Sequence, residues 1–181
     1  MEIIKLESIY EESRKALLNV TYKSNDSDKV NSKMIIRYSE IKKVWPDFSL
    51  SATEGFTAEC YGKYAYAHIN IAQGQGTFLV IWDIEEDKMI HISSCSHGIK
   101  SVISEGYIYT LCDVCQWGCK PHLCVEKTKI GVMNRWEEGD SLDFKIDYEP
   151  GTKVNYDNMF INIEGDEIVA GYDDVAARCA R

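Results

Sequence analysis

The chain lacks the apolar runs that mark membrane-spanning and exported proteins, and it has only three prolines among its 181 residues. No stretch approaches the roughly 18 apolar residues of a transmembrane helix. The first residues, Met1–Ser8, lack a basic segment followed by an apolar run, so we expect no signal peptide and no membrane partner. The seven cysteines are an odd number without such a signal, which favours reduced thiols and a cytoplasmic location.

Basic residues are also scarce relative to acidic ones. The chain carries 20 Lys and Arg against 29 Asp and Glu, a net charge of −9. Nucleic-acid binding draws much of its affinity from Lys and Arg contacts to phosphates, so this balance argues against a nucleic-acid partner. Most of the negative charge lies in residues 134–181, where 12 acids oppose 5 bases. A clustered acidic surface of this kind either keeps a protein soluble or steers a basic protein partner.

The motifs of common catalytic sites are absent as well. The chain has no G-x-S-x-G nucleophile elbow, no P-loop at Gly74-Gln75-Gly76 and no dinucleotide-binding fingerprint. The four histidines are expected in ordinary strands and turns, at His68, His91, His97 and His122. The sequence therefore predicts no enzymatic activity.

The chain contains instead a series of strand-like segments. Apolar and β-branched residues come in short runs broken by Gly, Asn, Asp and Ser, which predicts an all-β fold. Links as short as Glu85-Glu86-Asp87 require antiparallel neighbours, and the run Phe78–Trp82 is apolar on both faces, which indicates a strand buried on both sides. Helical patterning predicts only a short helix at Ser8–Leu18 and a turn at Asp174–Arg178. The predicted strands are Leu17–Tyr22, Lys33–Tyr38, Phe56–Tyr61, Tyr64–Ile71, Thr77–Ile84, Lys88–Ser93, Ile99–Ser104, Tyr107–Asp113, Leu123–Ile130, Ser141–Tyr148, Asn158–Ile163 and Glu167–Tyr172.

A strand, a tight glycine turn and a second strand recur three times, at Gly62, Gly106 and Gly165. These glycines are 44 and 59 residues apart, and a period of about 40–45 residues is the length of a four-stranded propeller blade. We therefore expect a single domain over residues 1–181, built of antiparallel four-stranded blades as an open or partial β-propeller. The blade units would be 1–55, 56–97, 98–150 and 151–181, and a β-sandwich is the alternative architecture.

One segment, Thr77–Thr110, carries a more specific order of residues. Trp82-Asp83 closes a hydrophobic strand, Ser96-His97-Gly98 follows, and Val102 precedes the glycine hairpin Glu105–Thr110. This order resembles a WD-type β-propeller repeat, with its Trp-Asp dipeptide, turn histidine, outer-strand valine and glycine hairpin. The resemblance covers about one blade and implies stacked antiparallel blades.

A cysteine-rich segment lies between two of the predicted strands. Residues 112–124 hold four thiols, spaced C-x2-C-x3-C-x4-C, and the imidazole of His122. Because a C-x2-C pair allows two sulfurs to bind one metal ion, one prediction is a structural zinc site at Cys112, Cys115, Cys119 and Cys124. The alternatives are unliganded reduced thiols, and a disulfide between the cysteines that end the two facing strands. No cofactor other than this zinc is expected.

The small size, the acidic charge and the lack of catalytic motifs are similar in general character to bacterial immunity proteins, which neutralise polymorphic and contact-dependent growth-inhibition toxins. This resemblance implies a cytoplasmic binding protein that occludes the active site of a cationic nuclease toxin, with carboxylates in the place of phosphates and aromatic anchors between them. Alternative functions are a small-ligand-binding or enzymatic propeller-like protein, and a scaffold subunit with a structural zinc loop. The predicted partner-binding residues are Trp136, Glu137, Glu138, Asp140, Tyr172, Asp173 and Asp174.

Overall fold

A computed structural model of the chain describes residues 1–9, 15–23, 29–72, 76–115 and 119–181. In this part of the chain the fold is all-β, as predicted, and its antiparallel sheets have three or four strands. None of the helices in these ranges has the length and hydropathy that a bilayer span requires. The strands are β1 (Glu2–Ser8), β2 (Ala16–Lys23), β3 (Val30–Arg37), β4 (Thr53–Tyr61), β5 (Tyr64–Ile71), β6 (Thr77–Asp83), β7 (Lys88–Cys95), β8 (Gly98–Ser104), β9 (Tyr107–Val114), β10 (His122–Lys129), β11 (Asp140–Asp147), β12 (Met159–Glu164), β13 (Glu167–Tyr172) and β14 (Val175–Ala180), and the helix α1 is Tyr38–Val44.

The observed strands agree closely with the predicted ones. β5 and β13 have the predicted bounds, and the other predicted strands differ from the observed ones by no more than three residues at either end. The sequence missed β1 and β14, in which charged or small residues replace the apolar runs seen elsewhere. It also missed α1, because a helix of seven residues is too short to show helical periodicity.

The short helix predicted at Ser8–Leu18 is wrong in its described residues. Ala16–Leu18 instead begin β2, where they pair with β3, while residues 10–14 lie outside the described ranges. The turn predicted at Asp174–Arg178 is also wrong, since β14 begins at Val175 and pairs with β13. In both places pairing with a neighbouring strand outweighs a weak local preference.

The three predicted glycine turns all connect β-hairpins. Gly62, Gly106 and Gly165 have φ values of 58°, 79° and 64°, a left-handed conformation that glycine adopts at little steric cost. The turns join β4 to β5, β8 to β9 and β12 to β13 through two residues each. In the second turn Glu105 also has a positive φ, as in the type I′ turns that match the twist of antiparallel strands.

The described residues form two compact units. The first unit comprises Met1–Ser93 and Gly131–Trp136, and the second comprises Ser94–Ile130 and Glu137–Arg181. The first contains sheet β1-β2-β3 and, as far as Ser93, sheet β4-β5-β6-β7; the second contains sheets β8-β9-β10-β11 and β12-β13-β14. Sheet order follows chain order throughout, so each strand pairs with its neighbours in sequence. The single domain and the four blade limits stay predictions.

The first unit has one large apolar core. Strand alternation places every second residue of β5 and β6 in it, and further residues come from β2, β3, α1, the segment between α1 and β4, and β7. All seven residues of β6 are buried, which confirms the expected burial of Phe78–Trp82 on both faces. Trp45 packs its ring 4.6 Å from that of Phe78. The core includes Leu17, Leu18, Val20, Ile35, Ile36, Ile41, Ala65, Ala67, Ile69, Ile71, Val80 and Trp82.

The second unit places its apolar core on one face of the β8–β11 sheet and against the β12–β14 sheet. The core includes Tyr109, Leu111, Leu123, Val125, Phe144, Ile146, Met159, Ile161, Ile168, Ala170 and Cys179. The alternate residues of β9 and β10 occupy the other face, and several of them are polar yet buried, including Thr110, Glu126 and Thr128. This buried polar face carries the first group of residues considered below.

Candidate functional site

The four cysteines predicted as zinc ligands separate in the fold. Cys112 and Cys124 are Cα partners on β9 and β10, so they share one face of the sheet. Cys115 and Cys119 follow β9 and are exposed. Cys115 interacts electrostatically with two tyrosine phenols that bind Asp113, and Asp113 faces the opposite side of β9 from Cys112.

Cys112 and Cys124 instead lie beside a carboxylate, Glu126. Glu126 is two residues beyond Cys124 on β10, and strand alternation puts both on the same face. The two Sγ atoms and a carboxylate oxygen all lie within 4.8 Å of one another. The backbone N–H of Ser96 donates to both carboxylate oxygens, at 3.3 and 3.4 Å. Cys95 is buried next to this group and interacts electrostatically with Cys112 and Glu126. We call Cys112, Cys124 and Glu126 the thiol–carboxylate cluster.

Burial and one hydrogen bond set the protonation of this cluster. Cys112 is fully buried and Glu126 is 4% exposed, while Cys124 is partly exposed. Burial raises the pKa of Cys112 well above its ordinary range, and the hydrogen bond that Cys112 donates to Cys124 adds to that rise. The same hydrogen bond lowers the pKa of Cys124, because it stabilises the thiolate. Burial raises the pKa of Glu126. Cys124 is therefore the thiol of the cluster that ionises first.

On the other face of β9, Asp113 binds two tyrosines from distant parts of the second unit. The Tyr148 hydroxyl donates to Oδ1, and the Tyr156 hydroxyl donates to Oδ2 at 2.8 Å. Burial, reinforced by the hydrogen bond to Asp113, raises the pKa of Tyr156 to about 12 and raises that of Tyr148 as well. Both phenols therefore remain protonated donors, and Asp113 holds the segment between β11 and β12 in place.

Negative charge is concentrated in the second unit and lies on its surface. This unit has 15 acidic and 8 basic residues, a net charge of −7, against 14 and 12, or −2, in the first unit. All carboxylate side chains of residues 137–181 are exposed: Glu137, Glu138, Asp140, Asp143, Asp147, Glu149, Asp157, Glu164, Asp166, Glu167, Asp173 and Asp174.

One end of the β12–β14 sheet holds its acids in ion pairs. At the β12–β13 turn, Glu164 and Glu167 bind Arg178 at 2.8 and 3.1 Å. Asp166 lies 3.8 Å from Arg181, the last residue of the chain. We call Glu164, Asp166 and Glu167, with these two arginines, the paired end of the sheet.

The opposite end of the same sheet has acids without basic partners in the described residues. Met159 pairs with Tyr172, and Tyr172 with Val175, so the turn before β12 and the β13–β14 turn lie side by side. Asn158 Nδ2 donates to Asp173 Oδ1 at 2.5 Å across this junction. Tyr156 is 49% exposed here. We call this group the free end: Tyr156, Asp157, Tyr172, Asp173 and Asp174.

The predicted partner-binding acids therefore fall into two places. Asp173 and Asp174 belong to the free end, but Glu137–Asp140 lie away from it. The ring of Tyr148, just after β11, packs 6.4 Å from that of Tyr172 at the free end, while Asp143, nearer the start of β11, acts electrostatically on Cys179 at the other end of β14. The start of β11 is consequently directed towards the paired end.

The two predicted aromatic anchors differ in setting. Tyr172 is half-buried at the free end. Trp136 belongs to the first unit and is 69% exposed. The guanidinium of Arg135 lies 3.9 Å from the centroid of the Trp136 ring and 4.7 Å from that of Trp45, so a cation sits between the two indoles.

The histidines have the settings of strand and turn residues. His68 and His91 are buried in β5 and β7, His122 is half-buried, and His97 is exposed at the turn before β8. The Nε2 atom of His91 lies 2.9 Å from the Ser93 hydroxyl, and burial lowers the pKa of His91 to about 4.

Sequence reasoning missed Glu126, Asp113 and Tyr156. The spacing of cysteines along the chain does not take strand alternation into account. In a strand, residues i and i+3 lie on opposite faces, and residues i and i+2 lie on the same face. The pattern Cys124-Val125-Glu126 was therefore the signal available for the cluster. The contacts of Asp113 with two tyrosines more than 30 residues away have no sequence signal.

Comparison with known proteins adds no relative to this description: no family model, no curated protein and no solved structure matches the chain.

Proposed function

We propose that this chain is a non-catalytic protein-binding domain that docks a basic protein through the free end of its β12–β14 sheet. The observation that carries the proposal is the contrast between the two ends of that sheet. At the paired end the protein supplies its own cations, Arg178 and Arg181, to three carboxylates. At the free end three carboxylates face solvent with no basic partner in the described chain.

Carboxylates without basic partners in the described chain are open to cations from a ligand. Like charges held at adjacent turns repel one another, so a partner that supplies Lys or Arg relieves this repulsion as it binds. Such a surface accelerates encounter with a basic protein and disfavours acidic ones. The lack of cations from the described residues at the free end is therefore a feature of specificity for a cationic partner.

Aromatic side chains beside the acids supply the apolar part of a docking surface. Tyr156 exposes half of its surface while Asp113 fixes its hydroxyl, so its ring is held in place before binding. A preorganised ring loses little conformational freedom on binding, and tyrosine is enriched among the residues that dominate interface energies. Tyr172 lies alongside, half-buried against Tyr148. The free end thus combines fixed aromatic rings with a charged rim.

A basic nuclease is the partner class that this surface fits best. Its active site binds phosphates, and a cluster of exposed carboxylates presents the same sign of charge on a protein surface. On this proposal the chain acts as an immunity protein: a cytoplasmic toxin inhibitor, used in competition between bacteria, that occludes the nuclease active site and carries out no chemistry.

The test measures binding and inhibition with a panel of purified basic nuclease toxin domains. One domain is expected to bind at equimolar ratio and to lose its nuclease activity. Neutralising the free end with D157N/D173N/D174N is expected to lower the association rate about tenfold or more at low salt, since steering by clustered charge contributes on that scale. Raising the salt concentration should reduce this difference, because the steering is screened.

A matched control removes the same number of charges from the other end of the same sheet. The variant E164Q/D166N/E167Q is expected to leave the association rate within about twofold, because its acids already pair with arginines and exposed pairs contribute little. Failure of every nuclease domain to bind would refute the partner class. Equal losses in the two triple variants would refute docking at the free end.

A further inference from the structure

The thiol–carboxylate cluster brings together three side chains whose ionised forms are costly to bury unless a cation neutralises them. Cys112 is fully buried, Glu126 is 4% exposed, and both point to the same side of the β8–β11 sheet as Cys124. No lysine or arginine in the described residues pairs with Glu126, which accepts hydrogen bonds from the backbone N–H and the side chain of Ser96. An ionised carboxylate is costly to bury without a cation, so a bound cation would stabilise the charged form of Glu126.

The positions of the three groups suit one small cation. Their ligand atoms lie within 4.8 Å of one another, while ligands at zinc distances in a tetrahedron are about 3.3–3.8 Å apart. Small rotations of three side chains would close that gap, and the paired strands β9 and β10 already fix their Cα atoms. Cys124 is partly exposed and gives an ion a route to the cluster.

We infer that Cys112, Cys124 and Glu126 form a binding site for a thiophilic divalent cation, of which Zn²⁺ is the natural example. Two thiolates and a carboxylate form a ligand set that zinc accepts, and alkaline-earth ions disfavour the sulfurs. Cys95 is buried and interacts electrostatically with Cys112 and Glu126, but it lies outside the group of three ligands. Binding releases the thiol protons and replaces them with the cation.

This site differs from the one that spacing along the chain predicts. Of the four cysteines in that prediction only Cys112 and Cys124 are retained, and Glu126 is added. Cys115 and Cys119 lie outside the cluster and are exposed. The inference is independent of the proposed docking function, because the cluster and the free end share no residue.

The experiment titrates the reduced full-length chain with Zn²⁺ and with Co²⁺, in competition with a chromophoric chelator. We expect one ion per chain, and for Co²⁺ the ligand-field bands of tetrahedral geometry with thiolate-to-cobalt charge transfer. Glu126→Gln, which preserves side-chain size, is expected to weaken Zn²⁺ binding about 10- to 100-fold or more. Cys124→Ser, at the partly exposed position, should also lower the charge-transfer intensity. Circular dichroism of both variants verifies that they are folded.

The double variant C115S/C119S is the matched control. It removes two cysteines from the same segment but none from the cluster, so it should bind Zn²⁺ with unchanged affinity and the same Co²⁺ spectrum. The inference is overturned if the reduced chain takes up no ion, or if folded Glu126→Gln and Cys124→Ser bind as tightly as the unmodified chain. Loss of binding in C115S/C119S would also overturn it, in favour of the four-cysteine site.

Discussion

The two units use their buried strand faces differently. In the first unit, β6 is buried along its whole length and its central residues are all apolar. In the second unit, β9 and β10 bury an apolar face against the β12–β14 sheet, but their other face buries hydroxyls, thiols and a carboxylate. Burial of apolar surface stabilises a fold without directional contacts, whereas each buried polar group needs a hydrogen-bond partner in a specific position. The first unit also buries polar side chains, such as His68 and His91, whereas the thiol–carboxylate cluster belongs to the second unit.

Surface charge shows the same division. The first unit is nearly balanced, and its acids are often held in ion pairs, such as Arg37 with Asp87 at 2.9 Å and Lys63 with Asp83 at 2.7 Å. The second unit carries a net charge of −7, and many of its carboxylates have no basic partner in the described residues. The two units therefore differ in how far their surface charge is neutralised by the protein's own residues.

The largest expected effect tests the apolar packing of the first unit. Trp82→Ala removes a fully buried indole from its core and should lower the free energy of unfolding by about 3–5 kcal/mol. Leu111→Ala, at a fully buried position in the core of the second unit, is expected to cost about 2–5 kcal/mol. Urea unfolding measures both values, and hydrogen exchange identifies the unit that loses protection. A cost below about 1 kcal/mol for Trp82→Ala would contradict the assigned packing.

A buried histidine in the first unit predicts a dependence of stability on pH. His91 has a pKa of about 4 in the folded chain, because burial disfavours its charged form, against about 6.5 when unfolded. The unfolded chain therefore binds a proton at this residue that the folded chain does not. The contribution of neutral His91 to the free energy of unfolding is fully present above about pH 6.5. It is lost as the pH falls to about 4, by ~3 kcal/mol in total.

The variant His91→Gln isolates this contribution. Its unfolding free energy should vary less between pH 6.5 and pH 4 than that of the unmodified chain, while the two curves should run parallel above pH 7. Urea unfolding across this pH range provides the measurement. Identical slopes for the two proteins below pH 6.5 would show that His91 titrates normally in the fold.

A smaller difference in stability is expected between alanine substitutions at two glycines, one in each unit. A Cβ atom on Gly171, in β13, would lie 1.9 Å from the Val175 carbonyl oxygen and 2.9 Å from Ala176 Cα. Because backbone atoms cannot move aside cheaply, Gly171→Ala should cost about 1–3 kcal/mol. Gly55→Ala, in β4 of the first unit, meets nothing within 4 Å and should change stability by less than about 0.5 kcal/mol. Thermal unfolding of the two variants tests the difference, and equal melting temperatures would contradict the close packing of β13 on β14.

Much of the fold could be predicted from local patterns. Strands such as Tyr64–Ile71 have apolar residues on alternating positions and are bounded by Gly62-Lys63 on one side, signals that act over a few residues. Two strands were not predicted because they lack that pattern: β1 contains Glu2, Lys5 and Glu7, and β14 is rich in alanine. They are strands because they pair with β2 and β13, a preference that their own side chains do not express.

The candidate sites were less predictable. Cys112 and Cys124 were expected at the ends of facing strands, and they are Cα partners on β9 and β10, but Cys115 follows β9 and is exposed. The excess of acidic residues in the last quarter of the chain could likewise be counted from the sequence. Which acids remain unpaired depends on Arg178 and Arg181 reaching the β12–β13 turn, and this follows from strand register.

The sequence by itself determined the class of the fold, the approximate strands, the glycine turns and the excess of negative charge, because these depend on residue type and on neighbours within one hairpin. Only the tertiary structure decided that Glu126 joins two cysteines, that Asp113 binds Tyr156, and that one end of a sheet is neutralised while the other is not. Those outcomes depend on register between strands and on contacts between distant segments. A shift of one residue in a strand moves each of its side chains to the opposite face, so composition alone could not have shown them.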